Sequence, residues 1–88
     1  MAYSVELSES ADRELAKLDP QHRRRILKFL HESIAKREDP RSVGERLHGE
    51  LGEFWRYRVG DYRIITKIED DRLLVLVLRV GHRKEIYR

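Results

Sequence analysis

Arg56 and Arg58 stand two residues apart in the run from Phe54 to Val59, Arg63 follows across a Gly60-Asp61 pair, and the chain closes with His82, Arg83, Lys84, Tyr87 and Arg88. A strand alternates its side chains between faces, so Arg56 and Arg58 share one face while Trp55, Tyr57 and Val59 share the other. Gly60-Asp61 has the composition of a two-residue hairpin turn, which would bring Tyr62 and Arg63 back alongside the first strand. Guanidinium groups stay charged at any working pH and offer planar donor forks that match phosphate oxygens. Several together could hold one nucleic-acid backbone segment in a fixed pose. Solvated edge strands also carry such arginines for solubility alone.

The surrounding composition is compatible with a polyanionic partner without demanding one. The formal net charge of the 88-residue chain is only +3. From Phe54 onward, however, nine Lys or Arg face five acids, and four of those acids fall in two predicted turns, which leaves strand faces and C-terminus positive. Cysteine is absent, which removes disulfides, thiolate chemistry and cysteine-based zinc sites, and fits a reducing compartment. His22, His31 and His48 lack the paired spacing of a metal site, so no metal or cofactor is expected. No signal-like apolar run or span of about 20 apolar residues is present, so the expectation is a cytoplasmic protein with no membrane partner. The length allows a single domain over 1–88.

The elements that must position these residues read in order. Tyr3, Val5 and Leu7 alternate with polar residues as a short strand, and Ser8 and Ser10 offer N-cap oxygens. Ala11, Leu15 and Leu18 make one helical stripe up to Asp19-Pro20, where Asp can cap and Pro can open a second helix. That helix carries Ile26, Leu27, Leu30 and Ile34 as its apolar stripe and a basic run at Arg23, Arg24 and Arg25, and ends at Asp39-Pro40. Residues 40–53 read as a connecting loop anchored by Leu47. Strands follow at roughly 54–59, 62–69 and 72–80, the last apolar on both faces and so suited to a sheet interior. The fold class is therefore α+β: a small antiparallel sheet with an N-terminal strand and a two-helix hairpin packed on one face. Trp55, Tyr57 and Val59 should meet the helices, with Arg56 and Arg58 on an open side.

Leu47 and Gly49, the stretch Phe54 to Arg58, the stretch Gly60 to Ile65, the apolar strand, and the ending from Val80 to Tyr87 together resemble the RelE/ParE superfamily of bacterial toxins, the ending being closest to the RelE branch. The resemblance covers essentially the whole chain, with the specific motifs confined to Leu47–Tyr87. It implies a toxin of a type II toxin-antitoxin module, acting as a metal-independent endoribonuclease that cleaves messenger RNA in the ribosomal A site. It further implies a RelB-like antitoxin as cognate partner, with ribosomal RNA and messenger as the other contacts. Residue by residue, it carries messenger binding and stabilisation of the scissile phosphate to Arg56, Arg58, Arg63 and Arg83, and base stacking to Tyr87. Lys84 and Arg88 join Arg56 and Arg58 as expected RNA contacts.

The implied reaction is attack by a ribose 2′-hydroxyl on the adjacent phosphorus, giving a cyclic phosphate and a free 5′-hydroxyl. It needs a proton acceptor, charge-stabilising donors and an acid for the leaving oxygen. Arginines suit the second role and serve badly in the first, because their pKa is about 12.5 or higher. Many family members have lysines where this chain has Arg56 and Arg58. His82, near neutrality in its unperturbed pKa, and Glu45 are the alternatives; with Arg63 they resemble the glutamate, arginine and histidine of the YoeB-type branch. The competing function on the same fold is a ParE-like DNA gyrase inhibitor that cuts nothing, and a third is a toxin whose nuclease has decayed.

Overall fold

A computed structural model describes residues 3–36, 38–47 and 53–86 of the chain. Five strands make one sheet in the order β1-β5-β4-β3-β2. β2 (Glu45–Arg46), β3 (Phe54–Val59), β4 (Tyr62–Glu69) and β5 (Leu74–His82) pair antiparallel, and β1 (Ser4–Leu7) joins β5 in parallel. The expected antiparallel meander is thus extended at both edges into a mixed sheet. The doubly apolar stretch of β5 lies between β1 and β4, where both its edges are hydrogen-bonded.

Two helices, α1 (Glu9–Ala16) and α2 (Pro20–Phe29), cover one face. Ser8 caps α1: its Oγ accepts from the Ala11 N–H at 3.0 Å and donates to the Leu78 carbonyl at 3.0 Å, tying the helix start to β5. Asp19 takes the N-cap position of α2 without a side-chain capping bond, and Pro20 supplies the preset first turn. Ile26, Leu30 and Ile34 recur every fourth residue, a row that drifts around a helix of about 3.6 residues per turn. A π turn over Leu30–Ile34, closed by the Ala35 N–H on the Leu30 carbonyl at 3.0 Å, corrects the drift and leaves Ile34 fully buried.

The core joins Ala11 and Leu15 of α1, Ile26, Leu30 and Ile34, Tyr57 and Val59 of β3, Ile64 of β4, and Val75, Val77 and Val80 of β5. Each fully buried large apolar side chain contributes about 1.5–3 kcal/mol. Val77 and Val80 are an odd number of residues apart, which strict alternation would send to opposite faces. A bulge resolves this: Ile65 pairs with Arg79 and Thr66 with Val77, so Leu78 is the extra residue.

Four details differ from the sequence expectation. The span 40–53 contains a 3₁₀ turn, Pro40–Val43, and the two-residue β2, too short to leave a periodic signal. The second helix stops at the π turn. The last strand starts at Leu74 because Asp70–Arg72 form a 3₁₀ turn that ends on Leu73 in the left-handed region (φ 48°, ψ 48°), a conformation that costs a non-glycine residue about 1 kcal/mol. The face away from the helices is not bare, since Ile65 and Leu74 are buried on it.

Two polar clusters fix the ends of β5. Asp70 accepts from Arg41 Nη1 and Nη2 at 3.0 and 2.9 Å and from the Tyr3 hydroxyl at 2.6 Å. Where β1 ends, Glu14 takes over the exposed edge, accepting from the Val80 N–H at 2.9 Å and from Arg79. At the C-terminal end a tight turn brings Ile86 back onto Gly81, where an added Cβ would lie 3.1 Å from the Ile86 Cδ1.

Candidate nucleic-acid interface

The geometry of the arginine face begins with a buried tyrosine on the opposite side. Tyr57 is fully buried, meets the Phe29 ring edge-on at 6.0 Å, and donates from its hydroxyl to the Pro40 carbonyl at 2.6 Å. Burial pushes its phenol pKa up to about 12. With Tyr57 and Val59 committed to the core, Arg56 and Arg58 must project from the other face. The preceding loop crosses Tyr57 at Gly44, where a Cβ would stand 2.9 Å from the tyrosine Cε1. Only a glycine allows that approach, and the approach sets Glu45 opposite Arg56.

Glu45 receives Arg56 Nη2 at 2.6 Å and lies 3.2 Å from Arg58 Nε. The hydrogen bond from Arg56, with the fields of Arg56, Arg58 and Arg63, holds its carboxyl below the usual carboxylate range. Arg58 and Arg63 are direct cross-strand partners, a like-charge pairing that costs stability unless something anionic sits between them. Arg63 donates from Nη1 to the Gly60 and Tyr62 carbonyls at 3.1 Å each. It thereby grips the hairpin turn, whose Gly60 has φ of +59° as the first position of a type II′ turn requires.

Arg83 reaches the same turn from the end of β5. Its N–H donates to the Asp61 carbonyl at 2.8 Å, and its Nε lies 3.8 Å from Asp61 Oδ1. Arginines from three separate stretches, Arg58, Arg63 and Arg83, are therefore gathered around Gly60-Asp61, and Arg56 adjoins them through Glu45. Lys84 is exposed beside them. Tyr87 and Arg88, expected to contribute a ring and a further charge, lie outside the described residues, as does His48.

His82 is carried elsewhere. It is the cross-strand partner of Tyr62, on the face of the helices, with its ring edge-on to Tyr62 at 5.8 Å and its Nδ1 accepting from the Lys84 N–H at 3.2 Å. Of the two alternative proton acceptors, His82 thus lies on the sheet face opposite Arg58 and Arg63, whereas Glu45 lies among the arginines. Arg25, one of three arginines in the basic run of the second helix, also reaches the hairpin turn. Its Nη1 is 3.0 Å from the position a Gly60 Cβ would take, which adds a fourth guanidinium at the turn. Nothing in the sequence sets it apart from Arg23 and Arg24. Among the described residues, no three His, Asp or Glu side chains gather as a metal-binding group, and no helix is long and apolar enough to cross a membrane.

Residues 5–87 match the family model described as the ParE toxin of the type II toxin-antitoxin system parDE. The chain is 35% identical to Toxin RelG of Mycobacterium tuberculosis over all of its own length and 99% of that protein. It belongs to the RelE/ParE superfamily of type II toxins. The fold of this RelE/ParE member is likewise similar to solved structures. A chain of the M. tuberculosis toxin-antitoxin complex RelBE2 superposes with a TM-score of 0.87 at 32% identity, covering 94% of this chain and 100% of that one. The isolated Escherichia coli RelE toxin gives 0.73 at 26% identity, covering 98% and 92%.

Proposed function

We propose that this toxin is a metal-independent endoribonuclease that cuts messenger RNA in the ribosomal A site and so arrests translation. The observation that carries the reading is the gathering of Arg58, Arg63 and Arg83 around one hairpin turn, with Arg56 beside them and Glu45 and Asp61 as the nearby carboxylates. A phosphate between Arg58 and Arg63 would relieve their mutual repulsion, and its charge grows as the 2′-oxygen attacks. Donors fixed in advance therefore favour the transition state over the ground state. Glu45, ionised and among the arginines, is the proposed acceptor of the 2′-proton once it swings off Arg56. Its lowered pKa makes it a weak base, and the flanking guanidiniums offset this by stabilising the oxyanion that forms. Tyr87 is proposed to stack on a base beside the cleaved linkage. The partner is a RelB-like antitoxin, by analogy with the RelBE complexes of similar fold; an acidic segment would complement the basic face.

A second reading, poisoning of DNA gyrase without cleavage, draws on the ParE family model. It gives no reason for four converging arginines. Cell-free translation of a reporter messenger with primer extension separates the two. Cuts within codons that require ribosomes are the expected result; intact messenger together with loss of gyrase supercoiling would replace the first reading with the second.

A further inference from the structure

A cavity of about 310 Å³ lies on the helix side of the same hairpin turn, lined by His22, Arg25, Val59, Asp61, Tyr62 and His82. Its size falls within the range of sites that hold small organic ligands. Three rings form a row along one wall: His22 and Tyr62 with centroids 5.1 Å apart at 46°, then Tyr62 and His82 at 5.8 Å and nearly perpendicular. Arg25 closes the end nearest Gly60. Beyond Arg25 a second hollow, lined by Arg25, Lys28 and Arg58 with the single acid Glu32, continues a mainly cationic surface around β3 toward the arginine face. Arg25 therefore belongs to both hollows, and Arg58 links the second to the phosphate-binding side.

We propose that this cavity is a nucleotide subsite: an RNA strand held by Arg58 and Arg63 turns around the free end of β3, sets its next phosphate on Arg25 and Lys28, and lays the attached base against His22, Tyr62 and His82. Aromatic faces accept any base by stacking and a guanidinium takes the phosphate, so the ring row and Arg25 match the two ends of a nucleotide. The inference extends the RNA-binding reading, and it also gives His82 a use on the face where it lies. The ligand is a nucleotide within RNA, and a free nucleotide serves as a probe for the same chemistry.

The test is NMR titration of the full-length, isotope-labelled toxin with adenosine 5′-monophosphate, inorganic phosphate, and a 2′-O-methyl RNA pentamer that cannot be cleaved. The expected result is saturable shifts of the His22 and His82 ring signals and the Gly60 amide with the monophosphate, at least tenfold weaker in Arg25→Ala and in His22→Ala. The pentamer should move these signals together with those of Arg58 and Arg63. Phosphate alone acting as strongly as the nucleotide, or a pentamer that moves only the Arg58 and Arg63 signals, would overturn the subsite. Because this readout is binding, it is independent of cleavage: a toxin that binds here yet cuts no messenger refutes the nuclease reading alone.

Discussion

Asp70 and Glu45 both pair with arginines, and they are used in opposite ways. Asp70, at one end of β4, receives both guanidinium nitrogens of Arg41 and the Tyr3 hydroxyl. Those bonds depress its pKa, and Asp39, 3.6 Å from Arg41 Nη1, gives the cluster two carboxylates for one guanidinium. Glu45 faces Arg56 and Arg58, with Arg63 in range, and is outnumbered. The first cluster is complete and joins the N-terminal strand, the 3₁₀ turn and the β4–β5 turn. The second holds its arginines in place while leaving a surplus of charge for something else. A guanidinium enclosed by carboxylates makes a staple, and arginines in excess over a carboxylate make a receptor.

The contrast breaks most sharply on the arginines at the hairpin. Arg63→Ala and Arg83→Ala are each expected to lower ribosome-dependent cleavage on the order of 100-fold or more, the scale of losing a transition-state donor, with the melting temperature nearly unchanged. Undiminished cleavage in either variant, read by primer extension, would remove that residue from the site. Next in size is Tyr57→Phe, which leaves the Pro40 carbonyl buried without its donor. It should cost about 1–3 kcal/mol and lower the melting temperature of this small domain by several degrees. A melting curve identical to wild type would break the link between that tyrosine and the loop carrying Glu45.

Glu45→Gln and Asp70→Asn sharpen the comparison directly. Removing the outnumbered charge should tighten RNA binding severalfold and slow cleavage, measured by fluorescence anisotropy with a 2′-O-methyl RNA and by primer extension. Removing the Asp70 charge should alter only melting. The pH dependence follows from the depressed carboxyls: their stabilisation is fully present above the unfolded pKa, at about 4, and is lost as pH falls through the lower folded values. Thermal melts from pH 7 to 2 should show that acid loss in the wild type, and less of it in Asp70→Asn. The smallest effect expected is that of Arg41→Lys, which keeps the charge but gives up the two-pronged geometry and the approach to the Trp55 ring at 5.8 Å. Its melting temperature should fall slightly, with cleavage intact.

Much of this was legible in the chain because period and chemistry agreed. Alternation in Phe54–Val59 sorted Tyr57 from Arg58 correctly, and the stripes Ala11, Leu15 and Ile26, Leu30, Ile34 named the buried helix positions. What stayed hidden was set by long-range geometry. The parallel pairing of β1 with β5 and the edge cap by Glu14 depend on partners 66 to 70 residues away, and the bulge at Leu78 on its register with β4. His82 could be recognised by type as a proton carrier, but the face it takes is fixed by its register with Tyr62. Arg25 was masked by two neighbours of the same charge, and only its approach to Gly60 distinguishes it.

The clasp of Ile86 on Gly81 has a genetic consequence. Arg83 lies inside the short turn that this contact closes, so a methyl group at residue 81 would press on the turn that carries the guanidinium without altering any charge. Bacteria that survive expression of the toxin without its antidote should therefore carry inactivating lesions at Gly81, and at Gly44 beneath Glu45, alongside those in the arginine codons themselves.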